Sequence, residues 1–248
     1  MNNIKIFLNY LQKSISLSFL YSQALCDQVL RDHIHSLLNG LQSNFKSLDG
    51  RINTKELNEL KSFFQLNKKS RGGKPASITE VAELEYIPFI IHEIIANNKI
   101  EISKYLGQSV LYENPIIWRN FHFNPVFSGY DIYSNVWHQD SHDGNRLLKI
   151  FVLLDNVEEK DGPLHYMNEC STKKNWEKLR ERWGFHVFDR VQIFQEELKM
   201  IGPPGYYLII DTSRCMHRDD IPESSRDMLQ ITLYPSWRKN RDRHPYEL

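Results

Sequence analysis

The 248-residue sequence predicts an α+β fold, with a helical N-terminal layer packed on a C-terminal antiparallel β-sandwich or barrel as one unit. Three observations carry that expectation. Apolar residues recur at three- and four-residue spacing through the first hundred residues. Short alternating or continuous apolar runs then replace that spacing. Turn residues shift with the pattern: only two of the ten prolines and four of the eleven glycines precede residue 100.

Each element follows from its own spacing. Ile4, Phe7, Leu8, Leu11, Ile15 and Phe19 form one apolar helical stripe, and Leu25, Val29, Leu30, His33, Ile34, Leu37, Leu38 and Leu41 form a second. Leu57, Leu60 and Phe64 repeat the pattern after an Asp49-Gly50 turn. A basic loop, Lys68-Lys69-Ser70-Arg71-Gly72-Gly73-Lys74-Pro75, follows. Ser77 and Glu80 then stand at capping-box spacing and predict a helix running to about Asn97. The later strands are expected at Ile116–Phe123, Tyr130–His138, Leu147–Leu154, Tyr206–Ile210 and Met228–Tyr234. A charged stretch, 172–184, has helical character, and Gly202-Pro203-Pro204-Gly205 marks a turn.

Composition excludes several function classes. Thirty-one basic residues balance thirty-one acidic ones, so no basic surplus is present to drive counterion release from a nucleic acid or docking onto an anionic membrane. No apolar run reaches the roughly 18–20 residues of a membrane-spanning helix, and the N-terminus lacks the pattern of a signal peptide. Cys26, Cys170 and Cys215 form no CxxC pair and no disulfide framework. The expectation is a cytoplasmic protein acting on a small molecule.

The chemistry concentrates in Val136-Trp137-His138-Gln139-Asp140. Residues i and i+2 of a strand share a face, so His138 and Asp140 can offer an imidazole nitrogen and a carboxylate oxygen to one point. His217, just beyond the Tyr206–Ile210 strand, is the candidate third ligand. Two histidines and a carboxylate on one side of a metal are the facial triad of non-haem Fe(II) oxygenases, which leaves positions open for cosubstrate and O2. A rival pair is His138 with His142, which would share a face on a helix, and Asp143 crowds the same segment. The β-rich flanks favour His138 with Asp140.

Around these residues lie the apolar run from Leu147 to Leu154, then Asp155-Asn156-Val157 and Gly162-Pro163-Leu164, then Tyr206 to Asp211, His217 and finally Arg226. From about Gly129 to Tyr234 this series resembles the phytanoyl-CoA dioxygenase-like family of Fe(II)/2-oxoglutarate-dependent oxygenases. The resemblance implies a double-stranded β-helix core under the helical layer, in a single domain spanning residues 1–248, with iron held by His138, Asp140 and His217. It implies that Arg226 pairs with the distal carboxylate of 2-oxoglutarate, a role suited to a planar, permanently charged guanidinium. Lys149 is a charge inside an apolar run, on the face opposite Leu148, Ile150 and Val152, and is a second candidate cosubstrate contact. Where the family usually continues Pro-Gly-Ser-His after the Gly-Pro turn, this chain reads Tyr166-Met167-Asn168-Glu169-Cys170-Ser171.

The implied activity uses Fe(II), 2-oxoglutarate and O2 to hydroxylate a small molecule at an unactivated C–H bond, releasing succinate and CO2. Two alternatives share the same residues: a non-catalytic β-helix protein that binds a metal or small molecule, and a protein side-chain hydroxylase. Trp118, Tyr133, Trp137 and Phe151 are candidate pocket residues that serve equally well as core packing. No G-x-S-x-G elbow, P-loop or H-E-x-x-H is present.

Overall fold

Alternation along two central strands organises the molecule. In β6 (Leu148–Leu153) and β11 (Ser225–Pro235), Leu148, Ile150, Val152, Leu229, Ile231 and Leu233 point to one face and are buried in a single apolar cluster. Their alternates Phe151, Leu153 and Met228 belong to a second cluster on the other face. A strand of period two thus serves two cores at once. The computed structural model describes residues 30, 34–35, 37–38, 40–42, 44–52, 55–71, 78–124, 135, 137–140, 146–175, 196–238 and 241–248. The expected helix over Ile4–Phe19 lies outside these residues. Leu30, Ile34, Leu37 and Leu38, from the second stripe, are helical, as is His35.

The major sheet is antiparallel and runs β1 (Leu48–Arg51), β9 (Tyr206–Ile210), β6, β11, β5 (Ile116–Phe121), β3 (Thr79–Glu83), β2 (Lys69–Ser70). At the far end of β11 it continues through β4 (Ser109–Tyr112) to β12 (His244–Glu247). Three helices, α1 (Glu56–Asn67), α2 (Phe89–Asn97) and α3 (Lys99–Leu106), cover one face. They bury Leu57, Leu60 and Phe64, then Ile90, Ile91, Ile94 and Ile95, then Ile102, Tyr105 and Leu106 against it. The minor sheet, β10 (His217–Asp219), β7 (Leu164–Tyr166) and β8 (Leu198–Met200), supplies Leu164, Tyr166 and Met200 to the second cluster. The described part of the expected 172–184 helix is seen at 169–175.

One expected helix start is corrected. Residues Thr79–Glu83 form a strand, not the first turn of a helix, and the helix begins only at Phe89 after Pro88. The reason is tertiary: β3 pairs with β5 from Thr79↔Asn120 to Glu83↔Ile116, and Thr79 and Val81 are β-branched. Among the described residues, the first hundred therefore contribute three strands to the sheet as well as helices. Helical structure also continues past residue 100, as α3.

The Gly-Pro-Pro-Gly turn is tied into this frame. Gly205 has φ +82°, a conformation that L side chains rarely adopt, and a Cβ there would collide with the Ile52 carbonyl. Ile52 N donates to Gly205 O at 3.0 Å and Gly205 N to Leu153 O at 2.8 Å, so β9 leaves the turn already aligned with β1 and β6.

Candidate metal centre

Main-chain pairing, rather than a long strand, places the candidate ligands. His138 and His217 exchange both backbone hydrogen bonds at 3.0 Å, an antiparallel pair whose side chains must emerge on the same face. Two residues on, Asp140 N donates to Thr212 O at 2.9 Å, which keeps the segment extended. Of the strand expected at Tyr130–His138, only Asn135, Trp137 and His138 are described, and His138 pairs as a single bridge. His142, Asp143 and Tyr133 lie outside the described residues.

The chain reaches His217 through a turn built from charged groups. The Asp211 carboxylate accepts from Ser213 N at 2.9 Å, from Ser213 Oγ at 2.6 Å and from the Tyr105 hydroxyl, and Cys215 N closes onto Asp211 O at 2.9 Å. Arg146 fixes the other side by donating to Tyr105 O at 2.5 Å and to Gln42 O at 2.7 Å. Cys215 is buried, and burial pushes its thiol well above the ordinary range, so it is inert as a nucleophile. Its carbonyl has a use: His217 Nδ1 donates to Cys215 O at 3.2 Å. A carbonyl only accepts, so the proton sits on Nδ1 and the Nε2 lone pair is left for the cluster.

His138, Asp140 and His217 come together, each offering one ligand atom within 4.8 Å of the other two. The imidazole rings stand 4.3 Å apart. His138 Nε2 lies 3.9 Å from Asp140 Oδ1, and His217 Nε2 lies 3.6 Å from Asp140 Oδ2. Burial, reinforced by the neighbouring His138, pushes the His217 pKa down to about 3 despite the attraction of Asp140. Burial opposes the Asp140 charge, yet His217 and the Lys149 ammonium hold its pKa below the usual carboxylate range. The cluster therefore presents a neutral His217 imidazole and an ionised carboxylate, the protonation states that metal coordination demands. Nitrogen, nitrogen and carboxylate oxygen on one side fit a divalent iron of the non-haem type.

Lys149 emerges from β6 on the face opposite Leu148 and Ile150, and its Nζ lies 2.7 Å from Asp140 Oδ2. It thus touches a candidate ligand directly. Arg226 is 1% exposed on the same face of the sheet as Met228. It donates through Nη2 to Asp219 Oδ1 at 2.6 Å and through Nη1 to Gly162 O, and its Nε is buried without a hydrogen-bond partner among the described residues. Gly162 has φ +67°, and a Cβ there would lie 2.5 Å from Pro222 N, so the close approach that brings its carbonyl to Arg226 requires glycine. Trp137 is fully buried, edge-on to His165 and beneath Arg218. Phe151 packs in the cluster between the sheets.

Sequence reasoning did not single out Asp219. Its position two residues after His217 was the available signal, because i and i+2 share a face of β10.

No family model and no curated protein matches the sequence. Solved structures do match. HygX from Streptomyces hygroscopicus, with nickel and 2-oxoglutarate bound, superposes with a TM-score of 0.53 at 13% identity, over 84% of this chain and 87% of that chain. The non-haem alpha-ketoglutarate-dependent epimerase SnoN from nogalamycin biosynthesis gives 0.51 at 10% identity, over 82% of this chain and 84% of that one. This chain shares their fold. HygX has also been solved with nickel, 2-oxoglutarate and hygromycin B bound. Among the described residues, no helix is long and apolar enough to cross a membrane.

Proposed function

We propose that the protein is a non-haem Fe(II)/2-oxoglutarate-dependent oxygenase that hydroxylates a small molecule, built on a double-stranded β-helix core. The observation that carries the reading is the convergence of His138, Asp140 and His217. It is supported by the resemblance to phytanoyl-CoA dioxygenase-like enzymes and by a fold shared with proteins that bind 2-oxoglutarate.

When bound, Fe(II) and 2-oxoglutarate supply the oxidation by O2: one oxygen atom enters the C–H bond, the other enters succinate, and CO2 leaves. The chain's own residues bind and orient. His138 and His217 donate through Nε2, and Cys215 O fixes the His217 ring by accepting from Nδ1. Asp140 supplies the negative ligand, and Lys149 holds its second oxygen. Arg226 takes the distal carboxylate of 2-oxoglutarate, because its terminal nitrogens reach Asp219 and Gly162 O while Nε lacks an acceptor among the described residues. Phe151, Leu153, Leu164 and Met228 keep the space between the sheets apolar, which strengthens charge interactions there.

The test is Fe(II)-dependent conversion of 2-oxoglutarate to succinate. Wild type is expected to turn over, and His138→Ala to lose more than about a hundredfold, beyond the range typical of residues that only support a ligand. Full activity in that variant removes His138 from the metal.

A further inference from the structure

A row of polar side chains crosses three neighbouring strands of the major sheet on the face that carries Arg226 and continues to β10 of the minor sheet. Thr79 on β3 is directly opposite Asn120 on β5, and Asn120 is directly opposite Arg226 on β11. Opposed residues in an antiparallel pair share a face. These residues are wired together: Thr79 Oγ1 meets Asn120 Oδ1 at 3.3 Å, Asn120 Nδ2 meets Asp219 Oδ2 at 3.4 Å, and Arg226 Nη2 meets Asp219 Oδ1 at 2.6 Å. The row therefore ends on β10, one i to i+2 step from His217, a distance of about 7 Å. At its other end, Arg71 N donates to Thr79 O at 3.4 Å, just past β2. The Arg71 guanidinium lies 4.0 Å over the Trp118 ring, and Trp118 is one row along from Asn120.

Three features mark the Arg71 end as unfinished. Arg71 is exposed, and its guanidinium has no hydrogen-bond acceptor among the described residues, only the ring beneath it and the through-space pull of Asp219. The Trp118 indole Nε1 is buried and also lacks a hydrogen-bond partner among the described residues. The Arg71 charge also stays uncompensated at contact distance, because Asp219, the carboxylate that pulls on it, is in contact with Arg226 instead. An exposed arginine on an indole is commonly just a stacked pair. A buried indole N–H without an acceptor is the part that stacking leaves unexplained, because such a group is costly unless something accepts from it.

We propose that Arg71 and Trp118 hold a carboxylate of the substrate at the rim of the space between the sheets, with the rest of the molecule directed along the Asn120–Arg226 row toward the metal ligands. The substrate class is then an organic monocarboxylate. Arg226 is left to Asp219 and the cosubstrate, and the single charge of Arg71 matches one carboxylate. A phosphate monoester brings nearly two negative charges and would overcompensate it. The word substrate rests on the oxygenase reading, but the binding site does not.

The experiment titrates the full-length, metal-free chain, with its tryptophans 15N-labelled, with sodium benzoate at constant ionic strength. The indole N–H resonances are followed and the Trp118 peak is assigned by its loss in Trp118→Phe. Benzoate is expected to shift the Trp118 peak saturably. Benzamide, the uncharged isostere, is expected to leave it in place, and inorganic phosphate to bind more weakly than benzoate. Arg71→Gln should weaken benzoate binding about tenfold or more, the loss expected for a hydrogen bond to a charged group, and Arg71→Lys should recover part of it. Saturating 2-oxoglutarate should leave the benzoate shift intact. A shift abolished by 2-oxoglutarate would mean that the carboxylate sensed is the cosubstrate's, and the proposal falls. It falls also if the Trp118 peak ignores benzoate, responds equally to benzamide, responds more tightly to phosphate, or behaves the same in Arg71→Gln. Because no metal is added, failure here is separate from failure of the metal-ligand assignment.

Discussion

Arg226 and Asp227 are neighbours on β11, point to opposite faces of the major sheet, and each is the buried member of a part-buried arginine–aspartate pair. On the helix-covered face, Asp227 receives both Nε and Nη2 of Arg119, at 2.6 and 2.5 Å, the two-pronged geometry that satisfies both partners. On the opposite face, Arg226 gives Asp219 a single bond at 2.6 Å, spends another on Gly162 O and keeps a buried Nε without an acceptor. Burying a charge is costly unless its hydrogen bonds are complete. The closed pair is therefore complete within the fold, and the open pair leaves a buried donor unmatched among the described residues. The same contrast holds along β6, where Ile150 is buried in the apolar cluster while the adjacent Lys149 reaches Asp140.

Breaking the closed pair should cost stability alone. Asp227→Ala strands Arg119 with its acceptor gone and is expected to destabilise the fold by about 3 kcal/mol without changing the affinity for 2-oxoglutarate. Denaturant unfolding and cosubstrate titration of the same variant check both halves. Breaking the open pair should do the reverse. Arg226→Ala is expected to raise the 2-oxoglutarate requirement roughly 10- to 100-fold, about 1.4–2.7 kcal/mol. Lys149→Met should move it the same way by less. An unchanged requirement in Arg226→Ala would take that residue out of the cosubstrate site.

The smallest expected effect is a pH dependence away from the metal. Burial pushes the Asp211 carboxyl up to about 6, even though Ser213 and Tyr105 donate to it. The folded chain thus holds this proton more tightly than the unfolded chain. The resulting contribution to stability is complete below about pH 4 and is lost as pH rises through 6. Between about pH 5 and pH 7.5 this group should remove about 1 kcal/mol of stability, measurable by denaturation at the two pH values. Asp211→Asn should flatten the difference.

Periodicity located the elements whose residues answer to one environment. Tyr206–Ile210 was legible to the residue, and Leu148–Leu153 within one position at each end, because continuous apolar runs belong to strands buried on both faces. Met228–Tyr234 was legible only as the middle of Ser225–Pro235, since Arg226 and Asp227 look like loop residues until their partners on other strands are known. Thr79–Glu83 was misread because a local capping signal competes with pairing to a strand that lies far along the chain. The meeting of His138, Asp140 and His217 was readable because two of the three are linked by strand spacing and the third follows a recognisable strand. The Arg71–Trp118 contact and the Asp219 bridge were not, because both depend on which strands lie side by side, and that order does not follow the sequence.

The central claim is tested most directly by anaerobic calorimetric titration of Fe(II) into the 2-oxoglutarate-saturated protein, wild type against His217→Ala. The account expects one ion per chain in wild type, tighter with 2-oxoglutarate than without it, and loss of that binding in the variant while its unfolding transition stays cooperative. Equal Fe(II) binding by His217→Ala, or none by wild type, would contradict it.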